Sequence, residues 1–347
     1  MNLNVILPFG SSVLSFVFFL FVLDQWRERR RSYQLVWAIG MLWYGISAGT
    51  EFLGGAFGWN EPLYRVWYLI GAIFVAGWLG LGTVLLLAKT RFGWAMVPVF
   101  LLLALISLGG PKLYPDAASV APIYALVSLA LAVITAVLAF RRSARWATVV
   151  TWAVVIGSVV ATGLMLTATI PAPGYYLNPS TNIPEGTLLP GYLRLLTPLF
   201  NVTGAFALSF GAVFSAYVFM PKQRVVRYSL DRAQPPASLV ANLGRAVIGF
   251  PVNLVASLPG AVVALLSGKL NSRVPATILI AIGGIIPAIT SGLNRFGVTS
   301  GFFIGEFLGV LFLFLGFLVS VEVTQQIRIP FTRKVLRARP VEAPAEA

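Results

Sequence analysis

The chain has 347 residues, of which 58% are hydrophobic and only 10% charged, with a formal net charge of +14 and neither cysteine nor histidine. An ordinary soluble domain carries roughly 25% charged residues, so this composition belongs to a chain dissolved in lipid. The missing residue types exclude disulfides, thiolate nucleophiles, Fe–S ligation, bis-imidazole haem and His-ligated zinc or copper, and the basic residues form short clusters rather than one basic domain, which argues against a nucleic-acid partner.

Runs that reach the ~20 apolar residues needed to cross ~30 Å of hydrocarbon recur along the whole chain. They lie at 6–24, 33–53, 64–88, 93–110, 120–140, 146–170, 197–220, 275–294 and 300–322. The expected fold class is all-α, a polytopic transmembrane helix bundle of about nine spans. No positive residue precedes the first run, and Arg27, Arg29, Arg30 and Arg31 follow it. That is the reverse of a secretory signal, so the run reads as a retained helix with its N-terminus outside. With this start, Arg65, Lys112, Arg194 and Arg295 are the four basic residues left outside and the other 21 of the 25 lie inside. Such a bias follows the positive-inside rule and puts the C-terminus in the cytoplasm of a cell-membrane protein.

Four regions follow: a seven-helix bundle at 1–227, an insert on the cytoplasmic side at 228–274, two further helices at 275–324, and a tail at 325–347 that is basic and then rich in Pro, Ala and Glu. The final stretch 340–347 is expected to fray. Within the insert, 246–268 is uncharged and long enough to cross, yet Pro251 and Pro259 interrupt it, and a crossing would export the basic tail. Interfacial helices, or a re-entrant hairpin, near 237–268 are the expectation. The longest outer loop, 171–190, is rich in Pro, Gly, Asn and Tyr and could cap the helices.

Small residues four apart, at Gly45 and Gly49, at Ala207, Gly211 and Ser215, and at Gly301, Gly305 and Gly309, allow close helix contact in lipid, within the chain or between copies. Tryptophans near span ends, including Trp26, Trp59, Trp67, Trp94 and Trp146, read as an interfacial belt.

Five acids, Glu51, Glu61, Asp116, Glu185 and Glu306, fall on the outer side against the four outer bases. Glu51 ends the second span where Arg65 begins the third, so a hairpin could pair them. Arg194, Thr197 and Asn201 share a helix face at i, i+3 and i+7. Asn294 and Arg295 end the eighth span, and Glu306 lies inside the ninth. A carboxylate inside a span is costly unless paired, protonated or wetted, so Glu306 is the residue most indicative of function, with Arg295 or Arg194 as expected partner. Two readings stay open: a salt-bridge network that locks helices, or an outward pocket for a small solute or ion with 171–190 as lid. No nucleophile–base pair, metal-ligand spacing or phosphate-binding glycine loop stands out, so neither catalytic residues nor a cofactor or metal are expected.

The stretch Pro190-Gly-Tyr-Leu-Arg194-Leu-Leu-Thr-Pro-Leu-Phe-Asn201 with Gly211-Ala-Val-Phe-Ser-Ala-Tyr217, and 278–287 with Arg295-Phe-Gly297 and Gly305-Glu306-Phe-Leu-Gly309, resembles uncharacterised multi-pass membrane proteins of bacteria. The resemblance covers about the last half of the chain and implies a bacterial inner membrane but no activity. The first half is loosely similar to the seven-helix sensor regions of histidine kinases, with no output domain following. A non-enzymatic role results: solute or ion handling, or a receptor-like module. The alternative is an accessory subunit whose basic insert docks a complex partner, with anionic lipids at the cytoplasmic face and a homo-oligomer both compatible.

Overall fold

The structure, a computed structural model, describes residues 3–179, 181–229, 236–295, 298, 301–320, 326–332 and 335–338. The expected tail at 340–347 and the side chain of Arg295 lie outside the described residues. Of the described residues, about 80% are helical. Among the described residues, the named strands are one antiparallel ribbon, β1 (Gln326–Arg328) with β2 (Val335–Ala338).

In chain order the long helices are α1 (Leu3–Arg29), α2 (Ser32–Phe57), α3 (Glu61–Trp67) continuing through a π-helical turn (Tyr68–Phe74) into α4 (Val75–Leu86), α5 (Gly93–Gly109), α6 (Ala121–Phe140), α7 (Arg145–Thr167) and α8 (Gly191–Phe219). After them come α9 (Pro236–Leu266), α10 (Arg273–Arg295) and α11 (Phe302–Val319). By length and hydropathy, nine helices among the described residues can cross a membrane, so the protein is an all-α, multi-pass bundle. That set includes the α9 stretch Gly244–Leu266 and omits α2, whose hydropathy is lowered by Gln34, Glu51 and several glycines.

Packing decides which helices cross. Gly55 lies against Asn4, Gly49 against Ser12 and Gly45 against Phe16, so α2 runs antiparallel to α1 along its length and crosses with it. The helices α8 and α10 are also antiparallel: Gly284 meets Ser209 in mid-helix, and the Arg273 guanidinium stands 4.2 Å over the Phe219 ring at one end. Because α8 ends and α10 starts at the same face, α9 between them adds no net crossing. Replacing α9 by α2 leaves nine crossings among the described residues. Parallel pairs complete the pattern: Gly80 of α4 touches Gly204 of α8, and Phe18 of α1 packs at 5.1 Å on Phe314 of α11.

The expected hairpin or pair of short helices near 237–268 is corrected to one continuous helix of 31 residues that passes through Pro251 and Pro259. Each proline removes one N–H donor and strains the turn around the carbonyl four residues back, a cost of about 3 kcal/mol rather than an obligatory break. Those carbonyls belong to Val247 and Val255, both on the exposed side of the helix. The opposite face clamps the incoming chain. Asn253, 1% exposed, accepts from the Val225 and Val226 amides at 2.8 and 2.9 Å and donates to the Val226 carbonyl at 2.8 Å, and Ser257 accepts from the Gln223 amide at 2.9 Å.

The small-residue stripes serve contacts within the chain. Gly305 packs on Thr290, Gly309 on Pro287 and Gly211 on Thr83. Buried serines and threonines accompany them, whereas large apolar residues such as Leu126 and Val159 face outward, as lipid-facing surfaces require. The tryptophan belt needs correction at two positions. Trp146, 1% exposed, is in the core and donates to the Ala88 carbonyl at 3.0 Å, and Trp67, 7% exposed, is also buried.

Replacing Gly204 by Val is expected to destabilise the bundle by on the order of 3 kcal/mol or more, because its Cβ would meet the Ala76 carbonyl oxygen at 2.0 Å. Gly163→Ala, with nothing within 4 Å of its Cβ, should be neutral or mildly stabilising. Thermal unfolding in detergent measures both. For α9, single cysteines introduced at Gln223 and Ser267 into this cysteine-free chain should be labelled from the same side of the membrane; labelling from opposite sides would contradict the zero-crossing assignment.

Candidate functional site

A cavity of about 230 Å³ lies between α2, the α3–π–α4 unit, α8, α10 and α11. Its walls include the small residues Gly71, Ala72, Ala76, Ala205, Gly283, Gly284 and Ala288; Gly71 lies against the Ser47 hydroxyl, Gly283 against the α11 backbone and Gly284 against the Ser209 hydroxyl, so close helix contacts frame the opening. Two helix irregularities shape it. The π turn carries Tyr68, Gly71 and Ala72 into the wall, and π turns often mark functional positions. In α10, Pro287 has no N–H to offer the Gly283 carbonyl, so the helical bond between two lining residues is missing.

The outer end of the cavity is bordered by Tyr114, Glu185, Gly186, Thr187 and Arg194, and its deep end by Leu79, Leu208 and Leu313. The outer loop is held in place by backbone contacts. The Tyr64 hydroxyl donates to the Glu185 carbonyl, Asn178 donates to the Glu185 carboxylate at 2.7 Å, and Gly186 lies against the Tyr68 ring. The Gly191 amide at the start of α8 donates to the Asp116 carboxylate at 2.5 Å, where an acid satisfies a free N–H and complements the helix dipole.

Glu51 of α2 and Glu306 of α11 meet in the cavity. Glu51 is 2% exposed and its Oε1 accepts from the Trp67 indole N–H at 2.7 Å. Tyr44, also lining the cavity, donates its hydroxyl proton to the Glu306 backbone carbonyl at 2.7 Å and so anchors α11 to α2. The two carboxyl groups line the same cavity, near enough to influence each other's charge, and Oε2 of each is buried without a hydrogen-bond donor among the described residues. Among the described residues no Lys or Arg nitrogen lies within 4.0 Å of either carboxyl. Two acids in contact without a base repel when both are charged, so the pair is suited to holding one proton between them or to receiving a cation.

The sequence-derived partners therefore need correction. Arg65 does not pair with Glu51. It binds Glu61, one turn earlier on its own helix, at 2.6 Å, and donates to the Met165 and Ala168 carbonyls, tying α3 to the end of α7 and staying out of the cavity. Arg194 does not pair with Glu306 either; its guanidinium stacks 4.6 Å above the Tyr114 ring at the outer end. Arg194 and Asn201 both line the cavity, as their i, i+7 spacing requires, whereas Thr197 between them is buried and bonded to the Tyr68 hydroxyl at 2.9 Å. Asn294 lines the cavity with its Oδ1 buried and unpartnered. Of the residues expected to form a locking salt-bridge network, Arg65 and Arg194 do not reach Glu51 or Glu306, and the Arg295 side chain lies outside the described residues.

Tyr44, Ser47, Trp67, Tyr68, Tyr114 and Ser291 also line the site and were not singled out from the sequence. A signal existed for the first two. Tyr44, Ser47 and Glu51 fall at i, i+3 and i+7, the same rule that groups the α8 residues. Trp67 lacked one, because a tryptophan near a span end reads as interfacial until Glu51 is known to face it.

Glu306→Gln is expected to leave the fold intact and its thermal midpoint unchanged or raised, with a gain of up to about 1 kcal/mol from removing a like-charge contact. Glu51→Leu should cost about 1–3 kcal/mol, because the buried Trp67 N–H loses its acceptor. Thermal unfolding of the purified chain compares the two, and a large loss for Glu306→Gln would point to a basic partner instead. No protein-family model, curated protein or solved structure matches the chain, so its functional reading rests on this geometry.

Proposed function

We propose that the chain is a solute- or ion-handling membrane protein whose outward cavity delivers a small ligand to the Glu51–Glu306 carboxyl pair. The observation that carries this reading is a cavity of about 230 Å³ that runs from the outer loop to two buried acids, Glu51 and Glu306, with no Lys or Arg nitrogen within 4.0 Å among the described residues. Unsatisfied polar atoms inside a bundle are costly, and a site that exchanges a ligand or proton is the usual reason they persist. An accessory subunit held together by salt bridges fits less well, because the acids lack bases among the described residues.

The basic face is cytoplasmic and the membrane is a bacterial plasma membrane. Support for this comes from the positive-inside count and from the resemblance of the last half of the chain to bacterial multi-pass proteins. Anionic lipids are the partner of the cytoplasmic face. There Lys222, Arg224 and Arg227 are exposed beside α9, which turns Val247, Ile248 and Val263 outward.

The absence of native cysteine makes the outward opening directly testable. Ser291→Cys and Asn201→Cys, in the cavity, should react with a membrane-impermeant methanethiosulfonate added to intact cells, as should the exposed outer control Leu113→Cys; Ser128→Cys, 2% exposed, should not. Reaction at Leu113→Cys alone would reject an outward-open cavity.

A further inference from the structure

The cavity carries opposite charges at its two ends. At the outer end stands Arg194, its guanidinium face on the Tyr114 ring, with no carboxylate within 4.0 Å among the described residues. Stacking occupies the face of a guanidinium and leaves its in-plane N–H donors free for a bidentate acceptor such as a carboxylate. Deeper in stand Glu51 and Glu306, with no Lys or Arg nitrogen within 4.0 Å among the described residues. With one proton shared between them the pair carries a single negative charge, opposite in sign to Arg194.

We propose that the cavity takes a small zwitterion, its ammonium group on the Glu51–Glu306 pair and its carboxylate on Arg194. This rests on the pocket reading above and names the ligand class for it. A simple cation would satisfy the pair but leave Arg194 without a direct acceptor, and a simple anion would meet the reverse problem. Glu185 at the outer end is held by Asn178 at 2.7 Å, so a ligand carrying both charges gives Arg194 and the acid pair each a partner of opposite sign. The aromatic rings of Tyr44 and Trp67 next to the acids suit an ammonium, whose contacts with π faces strengthen away from water. Adjacent Trp67 and Tyr68 bond to Glu51 and to Thr197, the latter one turn along α8 from Arg194, so both ends border one cavity of about 230 Å³ and a short amino acid is the class that suits it.

The test uses the purified full-length chain and a series of ω-amino acids from glycine to 6-aminohexanoate, each compared with the alkylamine and the alkyl carboxylate of equal chain length. Binding is read from thermal unfolding and from tryptophan emission, to which Trp67 contributes through its bond to Glu51. One chain length should bind best, and both single-charge analogues should bind at least about tenfold more weakly. Arg194→Gln and Glu306→Gln should each weaken the amino acid by a similar factor. Arg194→Gln should also erase its advantage over the amine. Arg194→Lys, which keeps the charge without the planar fork, serves if the Gln variant does not fold and should give an intermediate loss. An alkylamine that binds as tightly as the amino acid and ignores Arg194 would overturn the zwitterion assignment, as would no binding across the series while Ser291→Cys still reacts from outside. Both outcomes leave the pocket reading standing, whereas failure of that labelling rejects the pocket itself.

Discussion

Where α4 and α8 run side by side their backbones touch, because a Cβ on Gly80 would stand 2.4 Å from Gly204 and one on Gly204 would stand 2.0 Å from the Ala76 carbonyl oxygen. In lipid there is no hydrophobic drive for helices to associate, so such van der Waals approach carries much of the cohesion. The rest of the architecture depends on it. The contact fixes α8 as a parallel neighbour of α4, closes one side of the cavity, and leaves α10 to pack antiparallel on the other side of α8 at Gly284. With α8 and α10 antiparallel and their ends together, the insert between them returns to the face from which it started.

Close packing also explains why a cavity exists at all. Glycine and alanine on adjacent helices either let backbones meet or, where the partner backbone is held away, leave space. At Gly80 and Gly204 the first happens. Around Ala72 and Ala205 the second does, beside the π turn that leads into α4 and the proline that interrupts the bonding of α10. The same residue types give tight contact in one place and an opening in another, and the local helix geometry makes the difference.

Inside that opening the chain places its one unusual electrostatic arrangement. Glu51 and Glu306 would be expected to find bases, since isolated carboxylates are expensive in a bilayer, yet two of the expected arginines are engaged elsewhere: Arg65 on Glu61 and backbone carbonyls, Arg194 on Tyr114. The acids keep a tryptophan and each other. Such a pair is stabilised by whatever positive charge reaches it, a proton or a ligand.

The sequence by itself determined the lipid-dissolved composition, the all-α class, the number of crossings and the uneven placement of basic residues between the two ends of the bundle. These follow from one-dimensional quantities, apolar run length and the positions of Lys and Arg, that the bilayer reads directly. It also marked Glu306, Glu51, Arg194, Asn201 and Asn294 as polar groups on the outer half, because intramembrane polarity is visible without a fold. Only the tertiary structure decided which of them meet. Pairing by sequence proximity suggested Glu51 with Arg65 and Glu306 with a nearby arginine, but helix rotation turned Arg65 toward α7 and brought together two acids 255 positions apart. The course of α9 was likewise beyond the sequence, since proline positions do not reveal whether a helix continues through them. That depended on Asn253 and Ser257 clamping the 221–229 segment, a contact between residues about 30 apart that no local pattern encodes.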